Sequence, residues 1–157
     1  MPTMNIGQTE IITYKDIFHE QLVSVWERSV RATHDFLIPS DIDYFKSIVA
    51  EIDFNALTVF CLVQQETVLG FIGVADRKIE MLFLSPECIG QGFGKMLVDF
   101  VITELHVEEV DVNEQNTKAV EFYTKFGFVT YDRSEKDSEG KDYPILKMKL
   151  EDQRHEG

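Results

Sequence analysis

The run Met81-Leu82-Phe83-Leu84-Ser85-Pro86-Glu87-Cys88-Ile89-Gly90-Gln91-Gly92-Phe93-Gly94-Lys95-Met96-Leu97 constrains this chain more than any other stretch. An apolar segment of strand length meets a proline, three glycines alternate with other residues, and a helical pattern follows. Beyond the loop the apolar residues fall at Phe93, Met96, Leu97, Phe100, Val101 and Leu105, the spacing of one helix face. Glycines at 90, 92 and 94 strip the side chains from the point where that helix begins. Backbone N–H groups there sit at the positive end of a helix dipole with room for close approach, a nest suited to phosphate or pyrophosphate. The same residues also fit a plain tight turn, so the spacing alone leaves both readings open. Two phosphate motifs are excluded by counting. The dinucleotide fingerprint needs a small residue three after its second glycine, where Lys95 stands. A P-loop needs Gly-Lys-Ser/Thr with a glycine five residues earlier, but Met96 follows Lys95 and position 89 is Ile.

A second signal lies between Val112 and Phe128. Asn116, Ala119 and Tyr123 stand at i, i+3 and i+7 and share one helical stripe. The small Ala119 between a polar residue and a tyrosine leaves a slot beside the helix. Tyr123 equally fits a core aromatic with its hydroxyl at the surface.

The rest of the chain supplies the frame. Glu10 to Tyr14 alternate as a first strand, and Asp16 fits the N-cap of a helix to Thr33 with Phe18, Leu22, Val25, Trp26 and Ser29 on one face. Pro39 marks a loop, after which Ser40 or Asp41 caps a second helix to about Asp53. Leu57–Val63 and Thr67–Ala75 form a hairpin over Gln64-Gln65-Glu66, and Arg77-Lys78 turns the chain into a strand from Ile79 to Leu84. Val107 to Val112 reads as a buried strand, and Asn116 or Thr117 opens a helix stopped by Gly127. Phe128–Arg133 and Tyr143–Leu150 are the closing strands, joined by a charged loop. The expected class is α+β, with a mostly antiparallel sheet.

Together the two signals resemble the GCN5-related N-acetyltransferases, the GNAT superfamily. Ile89-Gly90-Gln91-Gly92-Phe93-Gly94 matches both glycine positions of the family's Arg/Gln-x-x-Gly-x-Gly/Ala motif, which follows an apolar strand ending in Pro. It departs at the first position, where Ile89 replaces Arg or Gln. Asn116, Ala119, Phe122, Tyr123, Gly127 and Phe128 match the family's second block, Asn-x-x-Ala-x-x-Phe-Tyr-x-x-x-Gly-Phe. Arg28-Ser29-Val30, Thr33-His34-Asp35-Phe36-Leu37, Arg133-Ser134-Glu135 and Asp142-Tyr143-Pro144 are similar to a YjaB-like bacterial subgroup.

The resemblance implies the GNAT acyl-CoA N-acyltransferase fold: a central mixed, mostly antiparallel sheet splayed in the middle and flanked by about four helices. It implies direct transfer of the acetyl group of acetyl-CoA to a primary amine (a protein lysine, an N-terminus or a small amine) through a ternary complex, without a metal. The cofactor would be held by the backbone of Leu82, Phe83 and Leu84, by Ile89, Gly90, Gln91, Gly92, Phe93, Gly94 and Lys95, and by Asn116 and Tyr123. Tyr123 would be the general acid, since a phenol near pKa 10 can protonate a thiolate near 8.5. Two residues are candidate bases. Glu80 is polar within an apolar strand, although alternation also fits placing it in solvent. His34 falls where the family builds its acceptor wall, and equally fits a histidine that merely ends a helix. The rival reading is a non-catalytic CoA-binding sensor or interaction module, against which Tyr123 argues.

Composition sets the outer limits. A chain of 157 residues, 44% hydrophobic with 12 Phe, fits one domain over 1–157 with 1–8 and 151–157 frayed. No signal pattern and no apolar run of membrane length is present, so a cytoplasmic protein that does not engage a membrane is expected. The net charge of −13 argues against a nucleic-acid partner and is compatible with an amine-bearing small molecule or protein substrate. Cys61 and Cys88 lack metal-ligand spacing. Cys61 fits a buried free thiol, and Cys88 a loop residue rather than a nucleophile. Either a monomer or a homodimer fits the sequence.

Overall fold

The computed structural model describes residues 8–151. Their order is β1 (Glu10–Thr13), α1 (His19–Thr33), α2 (Pro39–Ala50), β2 (Thr58–Gln64), β3 (Thr67–Ala75), β4 (Lys78–Leu84), α3 (Phe93–Leu105), β5 (Glu109–Asn113), α4 (Thr117–Phe126), β6 (Phe128–Ser134) and β7 (Ile145–Leu150). The ends expected to fray, apart from Gln8 and Glu151, lie outside the described residues. The expected α+β class with four helices holds, and the strands form one sheet in the order β1-β2-β3-β4-β5-β7-β6.

Three local expectations are corrected. Asp16 does not cap α1, because its carboxylate accepts from Asn55 Nδ2 at 2.7 Å; Asp16–Phe18 is a separate 3-10 turn and α1 starts at His19. Pro39 opens α2 instead of extending the loop, since a fixed φ and a missing N–H cost nothing at a first helical position. That helix ends at Ala50, whose carbonyl meets His19 Nε2 at 3.0 Å, and Asp53 caps the short turn after it. The hairpin turns are two residues each, Gln65-Glu66 and Asp76-Arg77, all at positive φ without a glycine. That backbone suits the right-handed strand twist, and of the four only Asp76 is a usual turn former. Gln21 on α1 secures the first turn by donating to Glu66 O and accepting from Val68 N.

Both faces of the sheet are covered. On the α1–α2 face, Leu22, Val25 and Trp26 of α1 pack with Phe54, Cys61 and Phe71; on the α3–α4 face, Phe93, Leu97 and Val101 of α3 pack with Leu62, Ile72 and Phe128. Alternating side chains on β2 feed both: Cys61 packs on the first face and Leu62 on the second.

The feature that creates the site is in β4. Against β3 its register runs Gly73↔Met81 and then Val74↔Ile79, so Glu80 is the extra residue of a β-bulge. The bulge reverses side-chain parity. Ile79 points to the α3–α4 face, and so do Leu82 and Leu84, while Met81 and Phe83 pack towards α1. At the same point β4 leaves β5: the parallel pairing covers only Lys78↔Glu109 and Ile79↔Val110. β5 continues with β7 through Asn113, and β4 stays on β3 through Leu84. A wedge opens between the two central strands, as expected of a sheet splayed in the middle.

Candidate active site

From Glu80 to Leu84 the edge of β4 that faces β5 has no strand partner, which leaves backbone donors and acceptors along the wedge. At its upper end the chain enters the glycine loop. Ser85 is buried and its hydroxyl accepts from Arg28 Nη2 at 3.1 Å, which pins the turn to α1. Gly90 and Gly92 have φ of 87° and 88°, and a Cβ at either would meet nothing within 4 Å. The glycines are therefore required by backbone conformation, and the empty space beside them is available to a ligand. Gly92 starts α3 without any side-chain cap, so the first N–H groups of that helix are not claimed by a capping side chain.

The side chains of this loop divide. Ile89 and Gly94 line a cavity of about 460 Å³, together with Leu82, Leu84 and Asn116. Gln91 folds back onto Glu87 O at 2.9 Å and Lys95 pairs with Asp99 at 2.8 Å, while Phe93 is fully buried as the anchor of α3. Of the loop residues expected to bind the cofactor, Gly90, Gln91, Gly92, Phe93 and Lys95 thus offer backbone rather than a wall.

Across the wedge, Asn116 caps α4 by accepting from Ala119 N at 3.2 Å. Its Nδ2 lies 3.4 Å from His34 Nε2, and Thr33 Oγ1 lies 2.7 Å from His34 Nδ1 while donating to Ser29 O. Because the Thr33 proton is spent on Ser29, Nδ1 must donate to Thr33 and Nε2 must accept from Asn116. The network fixes a neutral tautomer, and burial lowers the His34 pKa to about 4, with Asp35 opposing. His34 is uncharged at neutral pH and its acceptor nitrogen is engaged.

Asn116, Ala119 and Tyr123 line a deeper cavity of about 230 Å³ with His34, Glu80 and Phe83. Tyr123 is 5% exposed, its ring edge-on to Phe122 and Phe128. Burial pushes its phenol well above the ordinary value. Its hydroxyl has no hydrogen-bond partner among the described residues, and no side-chain polar atom among them is both buried and unsatisfied. The hydroxyl therefore opens on this cavity.

Glu80 is exposed by surface area, yet the protein around it raises its pKa through desolvation, with Asp111 and Asp76 adding and Lys78 opposing. Solvent access limits that shift. Glu80 and His34 also line a third cavity, of about 310 Å³, on the α1–α2 side of β4. Trp26, Phe45, Phe83 and Tyr143 give it aromatic walls, and Asp137 and Glu139 sit at its margin. A polar lattice holds its roof: Tyr143 donates to Asp41 at 2.6 Å, Lys141 pairs with Asp41 at 3.0 Å, and Tyr44 donates to Glu139 at 3.0 Å.

The sequence reading missed Thr33 as the partner of His34, and Trp26, Phe45 and Tyr143 as walls of one cavity. Thr33-His34 at a helix end was the one available signal. Cys61 and Cys88 are both buried free thiols, Cys61 pushed up to about 12 by burial. Among the described residues no group of three or more His, Cys, Asp or Glu could hold a metal ion, and no helix is long and apolar enough to cross a membrane.

Comparisons with known proteins agree on one family. A family model described as an acetyltransferase (GNAT) domain matches residues 35–151. The peptidyl-lysine N-acetyltransferase YjaB of Salmonella typhimurium is 40% identical over 129 residues, covering 82% of this chain and 89% of that protein. The solution structure of apo-form YjaB from Escherichia coli superposes with a TM-score of 0.80 at 33% identity, covering 90% of this chain and 97% of that one. The PaiA N-acetyltransferase of Thermoplasma acidophilum, solved with coenzyme A, shares the fold at a TM-score of 0.72 and 20% identity, covering 90% and 99% of the two chains.

Proposed function

The chain belongs to the GNAT acetyltransferase family, and from that premise we propose that it acetylates the side-chain amine of lysine in peptides or proteins, by direct transfer within a ternary complex. It is an acetyltransferase, and acetyl-CoA is its donor. One observation carries the reading: two cavities lie on opposite sides of the bulged β4 segment and share His34, Glu80 and Phe83, and Tyr123 lines the one on the α4 side. The relatives' activity on peptidyl-lysine supports the acceptor class.

The residues fit the donor. The unpaired edge of β4 suits the amide groups of a pantetheine arm, and the uncapped start of α3 suits the pyrophosphate. A backbone N–H on that edge can also stabilise the oxyanion, a contribution of about 3 kcal/mol. Tyr123 keeps a proton at neutral pH and holds it where a thiolate would leave. Its raised pKa does not disqualify it, because a thiolate forming in the same dry slot is raised by the same desolvation.

On the acceptor side, aromatic walls suit the aliphatic stem of lysine and, by desolvating its ammonium, favour the neutral amine. Glu80, at the mouth and raised in pKa, is the better base through water. His34 acts instead as a neutral wall that orients Asn116. The buried free thiols of Cys61 and Cys88 fit a reducing compartment, and we place the enzyme in the cytoplasm.

The test is mass spectrometry of peptides incubated with acetyl-CoA. Peptides with a blocked N-terminus and an internal lysine should gain acetyl groups on Nε. Modification of free α-amines alone would overturn the acceptor assignment, and CoA release no faster than hydrolysis across all acceptors would favour the non-catalytic module.

A further inference from the structure

We propose that Lys118 anchors the diphosphate of CoA, supplying from α4 the positive charge that Ile89 withholds from the glycine loop. The assignment rests on the acetyl-CoA reading above. Ile89 is in extended backbone, 45% exposed, and lines the 460 Å³ cavity with a side chain that carries no donor. The neighbouring cations are already committed: Lys95 to Asp99 at 2.8 Å, and Arg28 to Ser85 at 3.1 Å and Glu87 at 3.5 Å. Among the described residues lining the cavity, Lys118 alone bears a fixed positive charge, and Asp35, in the turn just after α1, is the one carboxylate. Lys118 is exposed and has no ion pair or hydrogen bond among the described residues.

Its place in the helix adds independent weight. Lys118 is the second residue of α4, whose first turn carries no acidic side chain. A cation there opposes the helix macrodipole, so the residue has no stabilising reason to stand at that position. It faces the same cavity as Gly94 in the first turn of α3. A diphosphate resting on the α3 amides would have backbone donors on one side and a flexible ammonium on the other. In a chain of net charge −13, a polyanionic ligand meets long-range repulsion, which raises the value of one local unpaired cation.

Isothermal titration calorimetry of the full chain with CoA, dephospho-CoA and pantetheine separates the outcomes. Lys118→Ala should weaken CoA on the order of five- to tenfold at low salt, and less as salt is added. Dephospho-CoA, which keeps the diphosphate, should lose the same factor, and pantetheine none. The melting temperature of the unliganded variant should hold or rise, as relief of the dipole clash requires. Equal CoA affinity in variant and parent, or an equal loss for pantetheine, would overturn the proposal. A penalty that disappears with dephospho-CoA would move the contact to the 3′-phosphate and overturn it as stated. If the parent itself fails to bind CoA, the donor assignment falls first, a result distinct from tight binding that ignores Lys118.

Discussion

On the α3–α4 side of β4, the wedge is walled largely by backbone: an unpaired strand edge, a loop whose glycines adopt positive φ, and an uncapped helix start. On the α1–α2 side, the cavity is walled by side chains from four stretches, Trp26, Phe45, Phe83 and Tyr143. The first construction suits a ligand whose diphosphate and amide groups are the same in every turnover. The second suits an acceptor, because a change of side chain reshapes the cavity without disturbing the strand beneath it. His34 and Phe83 line the cavities on both sides and join the two constructions.

The largest expected effect tests the junction. Tyr123→Phe removes a hydroxyl that has no protein partner among the described residues and keeps the ring that packs against Phe122 and Phe128. Turnover should fall by roughly 10²- to 10⁴-fold while acetyl-CoA affinity and melting temperature stay near the parent values. An altered melting temperature with intact turnover would assign Tyr123 to packing and give the proton to water.

Next comes the backbone-built side. Gly92→Val should weaken CoA binding on the order of a hundredfold, because a branched side chain would occupy the space beside the α3 amides. The substitution also strains a residue at φ 88°, so a control is needed, and Gly140 provides it. Gly140 has φ 79°, a Cβ there would meet nothing within 4 Å, and it lies in the loop before β7. Gly140→Val should cost comparable stability, read by thermal melting, and leave CoA affinity unchanged in calorimetry. Equal losses of affinity would mean that general destabilisation, not the cradle, explains Gly92.

The same contrast accounts for what the sequence discloses. The backbone-walled wedge is legible because backbone conformation is set by neighbours in the chain: three glycines after Pro86, and Asn116, Ala119 and Tyr123 at helical spacing, each lie within one short segment. The side-chain-walled cavity is not. Phe45 and Tyr143 are brought together by α2 packing against the loop before β7, and nothing in either segment names the other. The bulge at Glu80 was equally hidden, since the run from Ile79 to Leu84 reads as continuous strand and only its register with β3 reveals the extra residue. Pro39 misled for a different reason, because proline stops a helix in its interior and begins one at its first position.

His34 offers a test at the boundary between the two constructions. Burial lowers its pKa from 6.5 to about 4, so the unfolded chain takes up its proton before the folded chain does. Stability from this residue is therefore complete above pH 6.5 and is lost as pH falls towards 4. Discounted for partial exposure, the loss should reach about 2 kcal/mol. Urea unfolding at pH 7 and pH 5 should show roughly half of it in the parent protein, since pH 5 is still above the folded pKa, and a flatter profile in His34→Gln. The low-pKa carboxyls of Glu27 and Asp41 lose their contributions at still lower pH and do not distinguish the two proteins. Identical profiles would mean that His34 is wetter than its surroundings imply.

The smallest expected effect asks whether the two sides are separable at all. Tyr143→Phe removes the hydroxyl that donates to Asp41 at 2.6 Å, while the ring keeps its contacts with Phe36 and Phe45. Asp41 retains its ion pair with Lys141, so the roof should loosen rather than open. A lost hydrogen bond of this kind is worth about 1 kcal/mol, or several-fold in a binding constant. The KM for a lysine peptide should therefore rise roughly three- to fivefold, with kcat and the KM for acetyl-CoA within about twofold of the parent. Steady-state kinetics with each substrate varied in turn gives all three quantities. If both KM values rose together, the disturbance would have crossed β4 through Phe83 and His34. The acceptor cavity would then help to shape the cofactor wedge, and the division between a backbone-built side and a side-chain-built side would not hold in the working enzyme.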